Sequence, residues 1–542
     1  MYLKSKSVKF AAMTLTASMA LGLTGCSNNE ETPSPSSSAN STPKSDTSSY
    51  PIKTDVTLTY WMPLSSNVSA SSANMGETEF AKELQKQTGI KVKFIHPAAA
   101  SVDEQFGIML ASGDLPDIIE WGWYGFTGGP QNAIEQKYII PLNEVIDKYA
   151  PNLKSYLTKD QELDKSVKTS SGQYYAFPGI RSDDALKVTS GPMVRKDWLD
   201  ELNLPIPETM ADWEAMLTAF KEKKGVSAPY SADPNQWLGG SMFMGAFGVT
   251  EGFYVENGKV HYGPLENGYK EYLSTMARWY SKKLLDQNFA TFDVKTFQAN
   301  MINGKTGATI GSAGGDLGKY NLTSRKTNAK YDLEAAPYPV LNKGERPKFG
   351  NKQRTYMNTG GAAAISRSSK NVELAARLLD YAYSDAGRKL FNYGREGTSF
   401  NLVNNYPTYT DLVTNNPKGL SMQAAMAFYS RAGYNGPYIQ EKPYIEQYYS
   451  AEEQKNAVKV WSANDNEKYA LPLVNFTNEE SAALASVMGS AKTYLDESKI
   501  KFIMGGAKMD TFEDFVAQLK KLNIDKAIEI NQAAYNRYMN QK

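Results

Sequence analysis

Residues 90–121 read IKVKFIHPAAASVDEQFGIMLASGDLPDIIEW, and this stretch contains the pattern that decides the fold. Residues 90–95 alternate apolar and polar side chains, which is typical of a strand with one buried face. Residues 102–111 have helical spacing, and residues 117–121 form a short apolar run that indicates a buried strand. Two strands that enclose a helix of this length predict a βαβ unit with parallel strands.

The same pattern extends in both directions along the chain. Residues 56–61 (VTLTYW) predict an earlier strand, and a second α/β region follows residues 172–178. The other predicted elements are helices at 77–88, 197–202, 210–224, 269–283, 295–302 and 371–391, a strand at 307–311, and a helical end at 478–542. The fold class is therefore α/β with a mostly parallel sheet. At 542 residues the chain is longer than one hydrophobic core usually serves, so two lobes are expected.

The N-terminus has the features of an export signal. Three lysines precede an uncharged apolar stretch at residues 10–23, which is too short for a permanent membrane span. Residues 23–26 (LTGC) are typical of a bacterial lipobox, in which Cys26 is acylated and becomes the first residue. We expect residues 1–25 to be a lipoprotein signal peptide that leaves the protein lipid-anchored on the extracellular face of the cell membrane. The alternative is an ordinary signal in which Cys26 is incidental.

Residues 26–50 are rich in Ser, Thr, Pro and Asn, which predicts a flexible linker between the anchor and the folded body. The rest of the composition is that of an ordinary globular protein, with 41% hydrophobic and 22% charged residues. A formal net charge of +1 and the lack of a basic stripe give no reason to expect nucleic-acid binding. Cys26 is the only cysteine, so no intramolecular disulfide is possible. We expect a monomer.

Aromatic residues follow the predicted strands at the ends where α/β sheets bind ligands. Trp61 ends the first strand, Trp121 ends the third, and Trp123 and Tyr124 come directly after it. Aromatic rings cover the flat C–H faces of sugars, so each of these residues is a candidate ligand contact. The alternative for each is a packing role in the core.

Five segments of the chain occur in an order that resembles the carbohydrate-binding solute receptors of ATP-driven importers, the family that includes maltose-binding protein. They are residues 111–119 (ASGDLPDII), 172–178, 207–213 (PETMADW), 297–308 (FQANMINGKTGA) and 361–366 running into 371–391. Residues 194–202 (VRKDWLDEL) and 392–397 (NYGREG) are similar to large Gram-positive lipoproteins for complex saccharides.

The resemblance implies a type II periplasmic-binding-protein-like fold, with two lobes, a hinge and a cleft that closes on the ligand. The expected crossings lie near residues 176–180 and 357–361. The expected domains are a signal peptide (1–25), a linker (26–50), lobe 1 (51–179 and 358–430) and lobe 2 (180–357, completed by a helical part at 431–542). The implied partners are an oligosaccharide, the permease subunits of an ABC importer and its cytoplasmic ATPase.

The resemblance also suggests further ligand-binding residues. Trp121 matches an aromatic ligand position of the family, and Trp237 lies where the second lobe offers an aromatic ring. The other candidates are Asp316, after a glycine-rich strand end, then Tyr393, Arg395 and Glu396 in the motif at 392–397, with Tyr434 and Asn435 as a further pair.

Two departures from the family pattern limit what can be carried over. Residues 221–227 (KEKKGVS) stand where alginate-type relatives often have a calcium loop, and they lack oxygen ligands at alternate positions. Residues 312–316 (SAGGD) replace a tryptophan pair of the maltose type, which argues against maltodextrin as the ligand. We expect no bound metal and no cofactor.

An enzymatic role has little support in the sequence. The chain has two histidines, His96 and His261, and neither lies in a pattern that indicates nucleophilic catalysis. Paired carboxylates from distant positions would still permit a secreted glycoside hydrolase. A peptide-binding transport receptor is the third alternative, because an aromatic cleft does not separate peptide from sugar.

Overall fold

The computed structural model describes residues 49–238, 242–356 and 361–541, except for the side chain of Trp237. The predicted signal peptide, Cys26 and nearly all of the predicted linker lie outside the described residues, as does most of the expected second crossing. Within the three described ranges, no helix is both long and apolar enough to cross a membrane.

The strands are β1 (Thr57–Trp61), β2 (Lys91–Ile95), β3 (Ile118–Trp121), β4 (Ile180–Arg181), β5 (Ser190–Arg195), β6 (Phe253–Glu256), β7 (Lys259–Tyr262), β8 (Ala308–Ser312), β9 (Leu333–Ala335), β10 (Ala362–Ile365), β11 (Phe400–Val403), β12 (Tyr406–Tyr409) and β13 (Ile439–Gln440). The α-helices of the first half are α1 (Ser66–Ser69), α2 (Glu79–Thr88), α3 (Val102–Ser112), α4 (Gly129–Glu135), α5 (Asn143–Tyr149), α6 (Pro151–Leu157), α7 (Gln161–Ser166), α8 (Lys196–Leu202), α9 (Met210–Lys224), α10 (Pro234–Trp237) and α11 (Asn267–Ser281). Those of the second half are α12 (Val294–Ile302), α13 (Lys319–Ser324), α14 (Val372–Tyr381), α15 (Asp385–Tyr393), α16 (Asp411–Thr414), α17 (Met422–Tyr429), α18 (Lys442–Tyr448), α19 (Glu452–Ser462), α20 (Asn466–Tyr469), α21 (Asn478–Ile503), α22 (Phe512–Lys521) and α23 (Ile524–Asn540).

Lobe 1 is built on a sheet with the strand order β10-β3-β1-β2. β1 pairs in parallel with β2 and β3, as the βαβ pattern predicts, and β10 adds an antiparallel edge. Leu58, Ile118 and Ala363 from three of these strands pack in one core with Leu378 and Leu379 of α14. The α/β fold predicted from the sequence is confirmed here.

Lobe 2 has a separate sheet with the order β8-β5-β9, and its pairs are antiparallel. The parallel pairing predicted from residues 56–121 thus does not extend to this lobe, because alternation identifies a strand but not the direction of its neighbour. Its core contains Trp213 and Tyr272, against which Leu495 of α21 and Ala527 of α23 also pack. Buried residues of the last three helices thus pack in this core, while Asn478 and Gln541 form hydrogen bonds to lobe 1.

Three passes of the chain lie side by side between the lobes. β4 pairs in parallel with β13, and Ile180 also bridges to Tyr356 in the antiparallel direction. The backbone N–H of Arg181 donates to Thr355 O at 2.8 Å. The pass at β13 was not expected from the sequence, and its Ile439 packs in the core of lobe 1, beyond the lobe boundary expected at residue 431.

The helix predicted at 371–391 is two helices, α14 and α15. Ser384 caps the second one, since its hydroxyl accepts a hydrogen bond from Gly387 N. A Cβ at Gly387 would lie 1.8 Å from Tyr381 O, so the two helices meet closely at this corner. The apolar spacing did not reveal the break, because the buried residues of both helices face the same core.

Candidate ligand-binding cleft

A cavity of about 440 Å³ opens at the carboxyl end of the lobe 1 sheet, where β1 and β3 end. This is the edge at which open α/β sheets bind ligands. Its lining residues are Met62, Pro63, Leu64, Ser65, Glu120, Trp121, Gly122, Gly125, Gly361, Tyr434 and Asn435. The structure therefore brings Trp121 together with Tyr434 and Asn435, which are more than 300 residues away in the chain.

Trp121 is half-buried and is held by other aromatic rings. Its indole stacks on Phe106 with ring centroids 4.3 Å apart and planes inclined by 15°. Trp61 meets it edge-on at 5.7 Å. One face of Trp121 is thus fixed by packing, while the residue still lines the cavity. A ring held in this way loses little conformational entropy when it contacts a ligand.

A buried ion pair supports the residues that line the lobe 1 cavity, which form the lobe 1 wall. Glu120 and Arg431 are 5% and 2% exposed, and Arg431 donates to the Glu120 carboxylate at 2.8 and 3.3 Å. Tyr60 also donates to this carboxylate, at 2.6 Å. Burial opposes the charged guanidinium, but Glu120 raises the pKa of Arg431 above its ordinary value. The two charges compensate each other, so the pair presents no net charge to the cavity.

Arg431 also fixes the loop 431–438, which carries Tyr434 and Asn435. Its guanidinium lies 4.6 Å from the Tyr434 ring centroid and donates to Asn435 O at 2.9 Å. Gly361 passes close to the same loop with a φ of 95°, and a Cβ there would lie 2.5 Å from Gly436 N. The positions of Tyr434 and Asn435 are therefore set by buried groups.

His96 orients another part of this wall. Met75 N–H donates to its Nε2 at 3.1 Å, so Nδ1 carries the proton and donates to Met62 O at 2.9 Å. Burial lowers the pKa of His96 below its ordinary value of 6.5, against the opposing effect of the Met62 hydrogen bond. The neutral ring thus links the turn after β1 to the residues that follow β2.

A second cavity of about 540 Å³ lies in lobe 2, and its lining is mostly amide and hydroxyl. The lining residues are Thr189, Ser190, Asn235, Gln236, Met242, Ile310, Ser312, Asp316, Tyr338, Gly350, Asn351 and Gln353. Gln353 lies on the lobe 2 side of the hinge pass, and Gly361 of the first cavity follows the same pass. Both cavities therefore adjoin the hinge.

Asp316 is the charged residue of this second wall. It lies in a π-helical turn, Ala313–Gly318, directly after β8. Ser312 N and Ser312 Oγ donate to its carboxylate at 2.8 and 2.9 Å. A Cβ at Gly311 would lie 2.8 Å from Asp316 Oδ2, so this strand end needs glycine. No lysine or arginine of the described residues forms an ion pair with Asp316.

A third cavity, of about 570 Å³, separates the lobe 1 segment 124–132 from the C-terminal segment 474–488. Tyr124 lines it and donates its hydroxyl to Val474 O at 2.9 Å. Burial raises the pKa of Tyr124 to about 12. In this structure Tyr124 therefore connects two segments that are distant in the sequence.

Several predicted site residues do not line either wall. Trp61 is 5% exposed and packs on Trp121, and Trp123 is fully buried with its Nε1–H donated to Ile119 O at 3.1 Å. Tyr393 is 1% exposed and its hydroxyl donates to Glu441. These three are packing residues in this structure. Arg395 and Glu396 lie in an exposed turn, and the side chain of Trp237 lies outside the described residues.

Sequence analysis missed Glu120, Arg431 and the amide residues of lobe 2. Glu120 lies inside an apolar strand, and nothing local shows that its partner comes from residue 431.

Among the described residues, no group of three His, Cys, Asp or Glu side chains could hold a metal ion. His261 pairs with Glu266 at 3.0 Å.

The family comparison agrees with this architecture. The family of bacterial extracellular solute-binding proteins matches residues 72–389, which is more than half of the chain. The protein is a member of this family, whose fold has two α/β lobes.

Individual relatives are similar over most of the chain. The fructooligosaccharide ABC transporter substrate-binding protein FusA of Streptococcus pneumoniae is 24% identical, and the match covers 100% of both chains. Lipoprotein LipO of Bacillus subtilis is 25% identical over 64% of this chain and 69% of its own. Among solved structures, the alginate-binding protein AlgQ2 without calcium has a TM-score of 0.70 at 23% identity, covering 89% of this chain and 98% of that one. An HMO-binding, ABC-transporter-associated solute-binding protein of Bifidobacterium longum infantis has a TM-score of 0.73 at 17% identity, covering 89% of this chain and 99% of that one.

Proposed function

We propose that this protein is the substrate-binding component of an ABC importer and that it binds an oligosaccharide between its two lobes. The observation that carries the proposal is the pair of walls on either side of the hinge. One wall offers Trp121 and Tyr434, and the other offers amides, hydroxyls and the Asp316 carboxylate. Rings of a sugar have apolar faces edged by hydroxyls, and these two kinds of surface match them. The full-length similarity to FusA supports a saccharide as ligand.

The proposal includes the place where the protein works. Residues 1–25 direct export, Cys26 carries the lipid anchor, and residues 26–50 link it to the body on the outer face of the membrane. Two or more acyl chains hold such a protein firmly, because each buried CH₂ contributes about 0.8 kcal/mol. From there the protein, as a monomer without catalytic activity, delivers its ligand to the permease subunits, and a cytoplasmic ATPase drives uptake. Replacing Cys26 with Ser releases the protein into the medium if this is correct.

The test is a titration of intrinsic tryptophan fluorescence with a panel of oligosaccharides, followed by product analysis of the same samples. A saturable change with recovery of the intact sugar supports a transport receptor. Shortened sugar identifies a hydrolase instead. A response to peptides and to no saccharide identifies a peptide receptor. Deletion of the cognate permease must also abolish uptake of the sugar that binds.

A further inference from the structure

The charge of the two cavity walls bears on which saccharides fit. None of the residues that line the lobe 1 and lobe 2 cavities is a lysine or an arginine. Residues 239–241 and 357–360, which the structure does not describe, read GGS and MNTG and contain no lysine or arginine. Sites for carboxylated sugars need such groups, because a carboxylate is recognised by charge-assisted hydrogen bonds from Arg or Lys.

The lysines nearest in sequence to the lobe 2 wall are turned to carboxylates. Asn351 and Gln353 line the cavity, but Lys352 between them pairs with Glu467 at 3.0 Å. Lys187, two residues before Thr189, pairs with Asp184 at 3.0 Å. In lobe 1, Arg431 is committed to Glu120. Each of these cations is therefore compensated within the protein.

Two hinge arginines form no ion pair with a described carboxylate, so their position relative to the cavities decides whether they reach a ligand carboxylate. Arg181 is 8% exposed and donates to Arg354 O at 2.9 Å, while Arg354 donates to Leu471 O. Burial lowers the pKa of both guanidiniums. Neither residue lines either cavity, and each donates one N–H to a main-chain carbonyl. They support the hinge rather than a ligand carboxylate.

Asp316 leaves one uncompensated negative charge at the lobe 2 wall. Its carboxylate retains acceptor capacity beyond the two hydrogen bonds from Ser312. A ligand hydroxyl can donate to it, whereas a ligand carboxylate is repelled. We infer that the ligand is an uncharged oligosaccharide and that Asp316 excludes uronic acid units. This inference rests on the proposed function and adds the chemical class of the ligand.

The experiment measures dissociation constants by isothermal titration calorimetry for neutral, uronic and amino-sugar oligosaccharides, at low and at high NaCl concentration. We expect the ligand to come from the neutral group, with an affinity that does not change with salt. Tighter binding of a uronic or cationic oligosaccharide overturns the inference but leaves the proposed receptor function standing. Failure of all three groups to bind overturns the proposed function itself.

A matched pair of ligand derivatives then separates the effect of charge from the effect of shape. The neutral ligand is oxidised at its primary hydroxyls to carboxylates, and a portion is converted to the methyl ester. We expect the carboxylate form to bind at least on the order of tenfold more weakly than its ester, because like charges at close range repel each other. Asp316→Asn should reduce this difference, and Asp510→Asn, at an exposed position in lobe 2, should not. An equal affinity for both forms, or an unchanged difference in Asp316→Asn, contradicts the inference.

Discussion

Trp121 packs on Phe106 and also lines the cavity of lobe 1. Because its stacking on Phe106 is separate from the surface that lines the cavity, Trp121→Ala should affect both properties to different degrees. We expect the free energy of unfolding to fall by about 1 kcal/mol for the lost aromatic pair, and ligand affinity to fall by on the order of tenfold or more. Calorimetric titration and urea unfolding separate the two. Trp123→Phe is the control, since that buried residue should lose stability while ligand affinity is retained.

The Glu120–Arg431 pair is expected to position the ligand wall rather than to touch the ligand. Arg431→Met leaves the buried carboxylate of Glu120 without its cation, which should cost about 3–5 kcal/mol of unfolding free energy. The double variant Glu120→Met with Arg431→Met should recover most of that stability, as buried pairs are often replaceable by apolar residues. Affinity should stay reduced in both, because Tyr434 and Asn435 lose their support. Full affinity in the double variant would contradict a positioning role.

His96 predicts a pH dependence of stability. Its folded pKa lies below 6.5, so the unfolded chain binds more protons as the pH falls from 6.5 towards the folded pKa. Stability should therefore be full above pH 6.5 and decrease on acidification through this window. The fall should be about 1.4 kcal/mol for each unit by which the pKa is lowered. Urea unfolding between pH 5 and 8 measures it. His96→Gln should flatten the decrease.

At the level of single residues, the sequence could predict that Trp121 lines a cavity, because a strand end and an aromatic residue coincide there. The same reasoning selected Trp123, and the motif at 392–397 suggested Tyr393, yet both are buried. Strand position alone does not show towards which side a ring turns after the strand has ended. The Glu120–Arg431 pair depends on a contact across 311 residues, and no local pattern contains it.

The predicted ends of helices and strands agree with the structure where residues nearby in the sequence set them. Helix α9 begins and ends as predicted, because Thr209 and Asp212 form a capping box and Gly225 ends the helix with a φ of 67°. The corner between α14 and α15 was missed, since it depends on a close contact between Gly387 and Tyr381. The ends of helices and strands that depend on tertiary contacts cannot be predicted from secondary-structure propensity.

Two glycines make this distinction testable at the level of elements. Gly107 lies on the exposed side of α3, and a Cβ there meets no atom within 4 Å. Gly107→Ala should raise the unfolding free energy by about 0.5–1 kcal/mol through helix propensity. Gly191 in β5 packs against Trp461, and a Cβ would lie 2.4 Å from its ring, so Gly191→Ala should separate β5 from α19 and destabilise lobe 2. Thermal unfolding of both variants gives the comparison, and a stabilised Gly191→Ala would contradict this packing.

On the scale of the whole molecule, the two main sheets lie in separate cores, and a third cluster packs Met193 and Leu333 of lobe 2 with Tyr393 and Phe400. The resemblance implies two crossings, near residues 176–180 and 357–361, and most of the second lies outside the described residues. The pass at β13 could not be expected from the sequence, because its two residues are too few to show periodicity.

A ligand that contacts both walls should raise the unfolding free energy of the protein and also reduce its radius of gyration. At a free concentration of 100 times the dissociation constant, the unfolding free energy should rise by about 2.7 kcal/mol. Small-angle X-ray scattering should show a smaller radius of gyration in the same samples, because the closed form is favoured only by contacts with both lobes. Gly107→Ala is the control: it should raise the melting temperature without compaction and without changing affinity. Stabilisation by the saccharide at an unchanged radius of gyration would instead indicate binding to one wall alone.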